Sequence, residues 1–164
     1  VAFIRRLPDR VDREELVFAT DSRLSWGQRL DHATKIFELP RSDALFAYAG
    51  DTYYAYPMAL QLSASIATYP RSADRRYPLG KARGQMLRVF DQMYRSIHGL
   101  PIGQAHPIED DPPVQFLFGG YVWHESEFRI WYIDLDRVRR TFRFRTGGRC
   151  FFIGDKEAGE RVPA

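Results

Sequence analysis

Residues 18–51 read FATDSRLSWGQRLDHATKIFELPRSDALFAYAGD, and this stretch decides the predicted fold. Residues 16–19 (LVFA) predict a short buried strand that ends close to the acidic residue Asp21. Lys35 then leads an alternating strand over residues 35–39. An acid after one strand and a lysine before the next can pair in the fold. Such a pair is more typical of a catalytic site than of packing.

The same stretch continues as a hairpin that leads into a helix. Residues 35–39 and 44–49 predict two strands joined by a turn that begins with proline. The apolar run 44–49 stops at Gly50, and Asp51 is a favourable N-cap for a helix that extends to about Thr68. A glycine at the start of a helix completes the expected catalytic arrangement.

The rest of the chain predicts antiparallel sheets covered by helices. Residues 1–6 indicate a strand that pairs with residues 16–19 across a polar turn over residues 7–15. A second helix is expected over residues 81–98. Later strands are predicted at residues 114–118, 128–134, 141–145 and 151–153. Because this order lacks the alternation of a doubly wound parallel sheet, the predicted fold class is α+β.

Length and composition restrict the class of protein. With 164 residues, of which 45% are hydrophobic, the chain is expected to form a single domain over residues 1–164. The net charge of +3 is small, and no apolar run approaches the ~20 residues that span a bilayer. A single cysteine excludes an internal disulfide, and scattered histidines offer no metal-ligand spacing. We therefore expect a cytoplasmic protein with no metal and no cofactor.

The motifs of the deciding stretch resemble those of one family. D-x-R-x-S-x-G, then K-I-F-x-L, then F-A-Y-A-G-D before a helix resemble proteasome β subunits and the related bacterial two-ring peptidase. These proteins are N-terminal-nucleophile hydrolases, and the likeness covers most of the chain. It implies a four-layer αββα sandwich of two antiparallel sheets and a homo-oligomeric ring. The family has further helices after the last predicted strand, so either the C-terminal part is abbreviated or residues 1–164 are not the whole gene product. It also implies a peptide or small amide substrate and, as a possible partner, a separate ring ATPase.

The resemblance also implies catalytic roles. In this class the nucleophile is the hydroxyl or thiol of residue one, and its own α-amine is the base, because a neutral amine titrates near ~7.7–8.0. Asp21 and Lys35 match the family's aspartate and lysine, of which the lysine disfavours protonation of the amine. Gly50 would donate its backbone N–H to the oxyanion. Asp155 stands where the family has the serine of Gly-Ser-Gly, which helps to organise the amine.

Further positions match residues that bind the substrate in the family. Arg23 and Ser25 would line the cleft. Tyr48 and Thr52 would flank the pocket for the residue that precedes the scissile bond. Tyr48, with Phe37 nearby, would favour a compact apolar or aromatic side chain in that pocket.

The start of the numbering departs from the family pattern. Val1 has no nucleophilic atom, and aligning VAFIRR with the family's first strand places the expected threonine about two residues upstream. The alternative is a catalytically inactive family member that acts as a ring-forming scaffold or an interaction module.

A basic tract at residues 137–149, RVRRTFRFRTGGR, suggests a different class of function. Arginines on phosphates and phenylalanines under bases would make a nucleic-acid surface. The period of two fits equally well a hairpin strand with Phe142 and Phe144 buried and with Arg143 and Arg145 outside. We favour the strand, so nucleic acid is not an expected partner.

Overall fold

The computed structural model describes residues 1–8, 10–26, 28–99 and 114–154. Its strands are β1 (Ala2–Leu7), β2 (Arg10–Phe18), β3 (Leu24–Trp26), β4 (Gln28–Leu30), β5 (Ile36–Glu38), β6 (Ala44–Gly50), β7 (Val114–Val122), β8 (Glu127–Asp136), β9 (Thr141–Arg145) and β10 (Cys150–Phe151). Its helices are α1 (Thr52–Thr68), α2 (Pro70–Ala73) and α3 (Leu79–Gly99). Each strand and long helix expected from the sequence is present, with shifts at the ends.

Two antiparallel sheets carry the fold of the described residues. One has the strand order β10-β1-β2, and the other has the order β5-β6-β7-β8-β9. A separate hairpin, β3–β4, lies in the connection between β2 and β5. Every strand pairing recorded in these ranges is antiparallel. The predicted α+β class with antiparallel sheets is therefore confirmed.

The two larger sheets pack against each other through alternate residues of their strands. On β1, Ala2 and Ile4 face the five-stranded sheet, where they meet Ala47, Leu117 and Ile130 in one buried cluster. Successive side chains of a strand point to opposite faces, so Phe3 and Arg5 face away from the five-stranded sheet. This packing fixes where β1 lies along its own direction relative to the five-stranded sheet.

The opposite face of the five-stranded sheet is covered by helices. Phe46, Phe116 and Phe118 lie in a second buried cluster with Met58 of α1 and Phe90 of α3. Because β6 and β7 are buried on both faces, their sequences are almost continuously apolar rather than alternating. Within the described ranges the layers are therefore helices, the five-stranded sheet and the three-stranded sheet.

α1 begins where the sequence predicts, whereas α3 begins at Leu79, two residues before the expected start. The Asp51 side chain accepts a hydrogen bond of 2.8 Å from the Tyr53 backbone N–H and so caps α1. Apolar residues along one face of α1 are buried: Ala55, Met58, Ala59, Leu62 and Ile66. The segment between α1 and α3 contains the short helix α2. None of the helices in the described part of the chain combines the length and apolar character that a membrane crossing needs.

The polar turn predicted over residues 7–15 is wrong for most of its length. β2 begins at Arg10, so polar residues that were assigned to the turn lie in a strand. Arg5 forms an ion pair with Glu15, and Arg6 lies 3.8 Å from Glu14. Opposite charges facing each other across two strands stabilise their pairing without apolar residues. The hairpin therefore extends beyond its hydrophobic part.

A buried ion pair holds the turn between β5 and β6. The side chains of Arg41 and Asp43 are each 1% exposed, and two N–O contacts of 2.5 and 3.1 Å join them. Arg41 also donates to the Tyr77 carbonyl at 3.1 Å, and the Trp123 indole donates to Asp43 at 3.0 Å. The turn is thereby fastened to the segment before α3 and to the turn between β7 and β8.

We expect Asp43→Ala to lower the free energy of unfolding by about 3–5 kcal/mol, because it leaves the buried Arg41 charge without its carboxylate partner. The double variant Arg41→Met/Asp43→Ala should be more stable than Asp43→Ala alone, since it removes both charges. Glu15→Ala removes a partly exposed ion pair and should cost no more than about 1 kcal/mol. Urea unfolding of the variants measures these differences. Equal losses for Asp43→Ala and Glu15→Ala would mean that the buried pair contributes no more than the partly exposed one.

Candidate active site

The β3–β4 hairpin brings together two residues that lie far apart in the sequence. Below its strands, the Ser22 carbonyl accepts a hydrogen bond of 2.8 Å from the Ala33 N–H. The Ser22 hydroxyl also donates to the Asp31 carbonyl at 2.5 Å. These bonds close the base of the hairpin, so that the residues flanking it, Asp21 and Lys35, come side by side.

Asp21 and Lys35 form an ion pair at this base. The Lys35 ammonium lies 2.7 Å from the Asp21 carboxylate. The hydrogen bond from Lys35 is the main reason that the pKa of Asp21 lies below its usual value. The Lys35 side chain is 13% exposed, whereas that of Asp21 is 68% exposed. The expected pairing is present, while the catalytic roles of both residues stay predictions.

The ion pair lies close to the start of β1. The Val1 nitrogen donates to the Ala19 carbonyl at 2.8 Å, and the Ala19 N–H donates to the Val1 carbonyl at 3.0 Å. Asp21 follows Ala19 by two residues, so the ion pair lies next to the backbone at this end of β1.

Gly50 lies at the junction between β6 and α1. Its φ angle is +100°, in a region that residues with a Cβ rarely adopt, so the junction favours glycine. Two residues earlier, the Tyr48 N–H donates to the Lys35 carbonyl at 3.2 Å. Gly50, at the end of β6, therefore lies two residues beyond the position that bonds to Lys35. Donation from the Gly50 N–H to an oxyanion stays a prediction.

Tyr48 and Thr52, predicted to flank a substrate pocket, have different surroundings. Tyr48 is 2% exposed, and its ring stacks on Phe37 with the ring centroids 6.1 Å apart. Burial, and after it the neighbouring Tyr56, raise the pKa of Tyr48. Thr52 is the first residue of α1 and is partly exposed. A substrate could reach Thr52 directly, but it would contact the Tyr48 ring only after the side chains over it had moved.

Of the other predicted site residues, Arg23 and Ser25 lie on or next to the hairpin. Arg23 is exposed and its guanidinium lies 3.2 Å from the Asp31 carboxylate across the base of the hairpin. Ser25 lies in β3, but its side chain is outside the described part of the structure. Asp155 also lies outside the described residues. The structure thus brings Asp21, Lys35 and the end of β6 into one region.

Two polar residues near this region were not singled out in the sequence. The Gln115 side-chain oxygen accepts a hydrogen bond of 2.9 Å from the Gly154 N–H. Burial raises the pKa of Tyr132 on β8, and the Arg145 guanidinium lies 4.3 Å from the centroid of its ring. In the sequence, Gln115 is marked by being the polar residue in the apolar run VQFLF. In the structure it faces the space between the sheets.

The basic tract forms a strand, as favoured from the sequence. Arg143 and Arg145 both lie within 3.3 Å of Asp134 on the adjacent strand β8, so part of the positive charge is neutralised. Phe142 is buried as predicted. Phe144 is 37% exposed, which corrects the expectation that it is buried, because it lies at the sheet edge under the Arg83 guanidinium.

Comparison with known proteins assigns no family. No protein-family model matches the chain, and no curated protein matches it significantly. The features that bear on function are therefore the Asp21–Lys35 ion pair and the start of β1 beside it.

The ion pair predicts a pH-dependent stability. Because Lys35 lowers the pKa of Asp21 in the folded state, the pair stabilises the fold above the ordinary pKa of 3.8, and this effect is lost as the pH falls through the lower folded-state value. At pH 7, Asp21→Asn should lower the free energy of unfolding by up to about 1 kcal/mol, since solvent screens an exposed carboxylate. The difference should shrink below pH 3.8.

Urea unfolding near neutral pH and in acid measures this dependence. Glu38→Gln, which neutralises an exposed carboxylate on β5, serves as the control and should change stability little at either pH. A loss for Asp21→Asn that is the same at both pH values would mean that it does not come from the ion pair.

Proposed function

We propose that this chain is a proteasome-like N-terminal-nucleophile hydrolase that cleaves amide bonds, with the four-layer sandwich fold of that class. The observation that carries the proposal is the ion pair of 2.7 Å between Asp21 and Lys35 beside the start of β1. A carboxylate paired with a largely buried ammonium at the end of a strand is suited to control protonation of a nearby amine.

The pairing of β1 with β2 supports the position of the nucleophile. Val1 lies opposite Ala19, and Ala2 lies opposite Phe18. If this register continues, the first residue before Val1 lies opposite Thr20 and the second lies opposite Asp21. Residues directly opposite each other have Cβ atoms about 4.5–5.5 Å apart. The family alignment, which is independent of this register, also expects a threonine about two residues upstream.

The proposed chemistry begins with an α-amine that is neutral. The Lys35 ammonium disfavours a second positive charge on this amine, and Asp21 keeps Lys35 oriented. The amine accepts the proton of the nucleophile's hydroxyl, whose oxygen attacks the substrate carbonyl. The Gly50 N–H stabilises the oxyanion. The leaving amine takes the proton from the α-ammonium, and water then hydrolyses the acyl-enzyme ester by the same route.

The substrate and the assembly are proposed from the family likeness. A peptide segment of an unfolded polypeptide is the proposed substrate, enclosed in a homo-oligomeric ring. Arg23, Ser25 and Thr52 would contact the peptide around the scissile bond. A separate ring ATPase would deliver the polypeptide, as it does for relatives of the bacterial type.

The second candidate is an inactive scaffold of the same fold. The position of the ion pair is also consistent with a scaffold, because a pair that closes the base of a hairpin stabilises that loop whether or not chemistry occurs beside it. The candidates differ in the encoded residues before Val1. Threonine, serine or cysteine exposed at a processed N-terminus supports the hydrolase, and any other residue there supports the scaffold.

The hydrolase is tested on the protein carrying its native N-terminus. Mass spectrometry of the mature chain should find a nucleophilic first residue, and short fluorogenic peptide amides should be cleaved. Lys35→Ala should lower kcat by roughly a hundredfold or more, because the base would then be protonated or misplaced. Lys81→Ala, which removes an exposed lysine from α3, should leave kcat unchanged. Equal activity of Lys35→Ala and wild type would overturn the proposal.

A further inference from the structure

The pairing of β1 with its other neighbour places a second residue beside the proposed nucleophile. On this side Ala2 lies opposite Phe151, and Phe3 lies opposite Cys150. If the register continues, Val1 lies opposite Phe152, the first residue upstream opposite Ile153, and the second opposite Gly154. The proposed nucleophile would therefore lie between Asp21 on one side and Gly154 on the other.

Gly154 is held in a defined place by the five-stranded sheet. Its N–H donates to the Gln115 side-chain oxygen at 2.9 Å. Its φ angle is +97°, and a Cβ at this position would lie 3.4 Å from the Ala49 Cβ. Ala49 directly precedes Gly50, the proposed oxyanion donor. The segment after β10 thus contacts β6 and β7 at the end where the candidate site lies.

Gln115 has aromatic and charged neighbours on the sheet face that it occupies. It pairs with Asp134 while Leu117 pairs with Tyr132, so Gln115 and Tyr132 are diagonal neighbours on one face of the sheet. The Arg145 guanidinium lies 4.3 Å from the centroid of the Tyr132 ring and 2.9 Å from the Asp134 carboxylate. The Tyr132 ring also stacks on Phe151 of β10, with centroids 6.4 Å apart. Gln115 therefore makes its bond to Gly154 beside side chains that are held by several contacts.

We propose that Gln115 is a positioning residue for the proposed hydrolase: through its bond to Gly154 it fixes the strand edge that lies beside the nucleophilic residue. The inference rests on the proposed function and adds a role for a side chain on β7. Gln115 reaches the reacting group only through the Gly154 backbone. Displacing this edge would misplace the amine relative to the Gly50 N–H, and displacements of about 1 Å are costly in catalysis.

The experiment compares three substitutions at position 115 in the full chain with its native N-terminus. Gln115→Met keeps the approximate volume without an acceptor, Gln115→Asn keeps the amide but is too short to reach, and Gln115→Glu keeps both the length and an acceptor oxygen. We measure kcat and KM on a fluorogenic peptide amide, hydrogen exchange of the Gly154 amide, and unfolding by urea. Gln85→Met is the matched control, since Gln85 also makes one side-chain hydrogen bond, to Ser65 at 2.9 Å.

The Met and Asn variants should lower kcat roughly tenfold to a hundredfold, leave KM within about twofold, and make the Gly154 amide exchange faster. Gln115→Glu should retain kcat within about threefold of wild type, because it still accepts the bond from Gly154. Gln85→Met should change neither kcat nor the exchange of Gly154. If the Met variant does not fold, the Asn and Glu variants still provide the comparison.

Other results would overturn the inference. If the Met and Asn variants remain folded with faster Gly154 exchange but unchanged kcat, Gln115 stabilises the strand without positioning the reacting groups. Lys35→Ala would still test the hydrolase separately. A loss of kcat in the Glu variant as large as in the Met variant would also exclude positioning through this hydrogen bond. Failure of the wild-type chain to cleave any amide would overturn the proposed function and this role together.

Discussion

The pairing of β1 along both of its edges is the constraint on which the candidate site depends. β2 and β10 bind opposite edges of this strand, so any shift of β1 would break two ladders of backbone hydrogen bonds. A slip by one residue would also turn Ala2 and Ile4 out of the space between the sheets. The position of the start of β1 is therefore fixed by the core. The Gln115–Gly154 bond adds a further contact at the neighbouring strand edge.

The Asp21–Lys35 pair combines a shielded cation with an exposed anion, which suits orientation better than stability. An ion pair with one solvated partner contributes little net free energy to folding. It nevertheless keeps the ammonium in one direction, because an unpaired lysine side chain would sample many rotamers. The hairpin between the two residues explains how side chains 14 positions apart meet. An ion pair of this kind can adjust the protonation of a neighbouring group with little effect on the fold.

Local signals in the sequence predicted most helices and strands, whereas polar contacts between distant residues could not be predicted from the sequence. The cap at Asp51 and the spacing of apolar residues were sufficient for α1, because both act within a few turns. The β3–β4 hairpin was not predicted, since strands of three residues are too short to show a clear period of two. Arg41 is of a residue type normally found at the surface, so its burial could not be inferred without knowing its partners. The Gln115–Gly154 bond spans 39 positions and depends on the mutual placement of two sheets.

The buried salt bridge in the β5–β6 turn has a consequence for the edge of the five-stranded sheet. β5 has only three residues and lies at that edge, where short strands are prone to change register. Because Arg41 and Asp43 anchor the turn to two other segments, β5 cannot slide along β6 unless this anchor breaks. A slide of one position would exchange the faces of Ile36 and Phe37 and withdraw Lys35 from its carboxylate. An anchor at one end of the edge strand thereby determines where the ammonium lies at the other end.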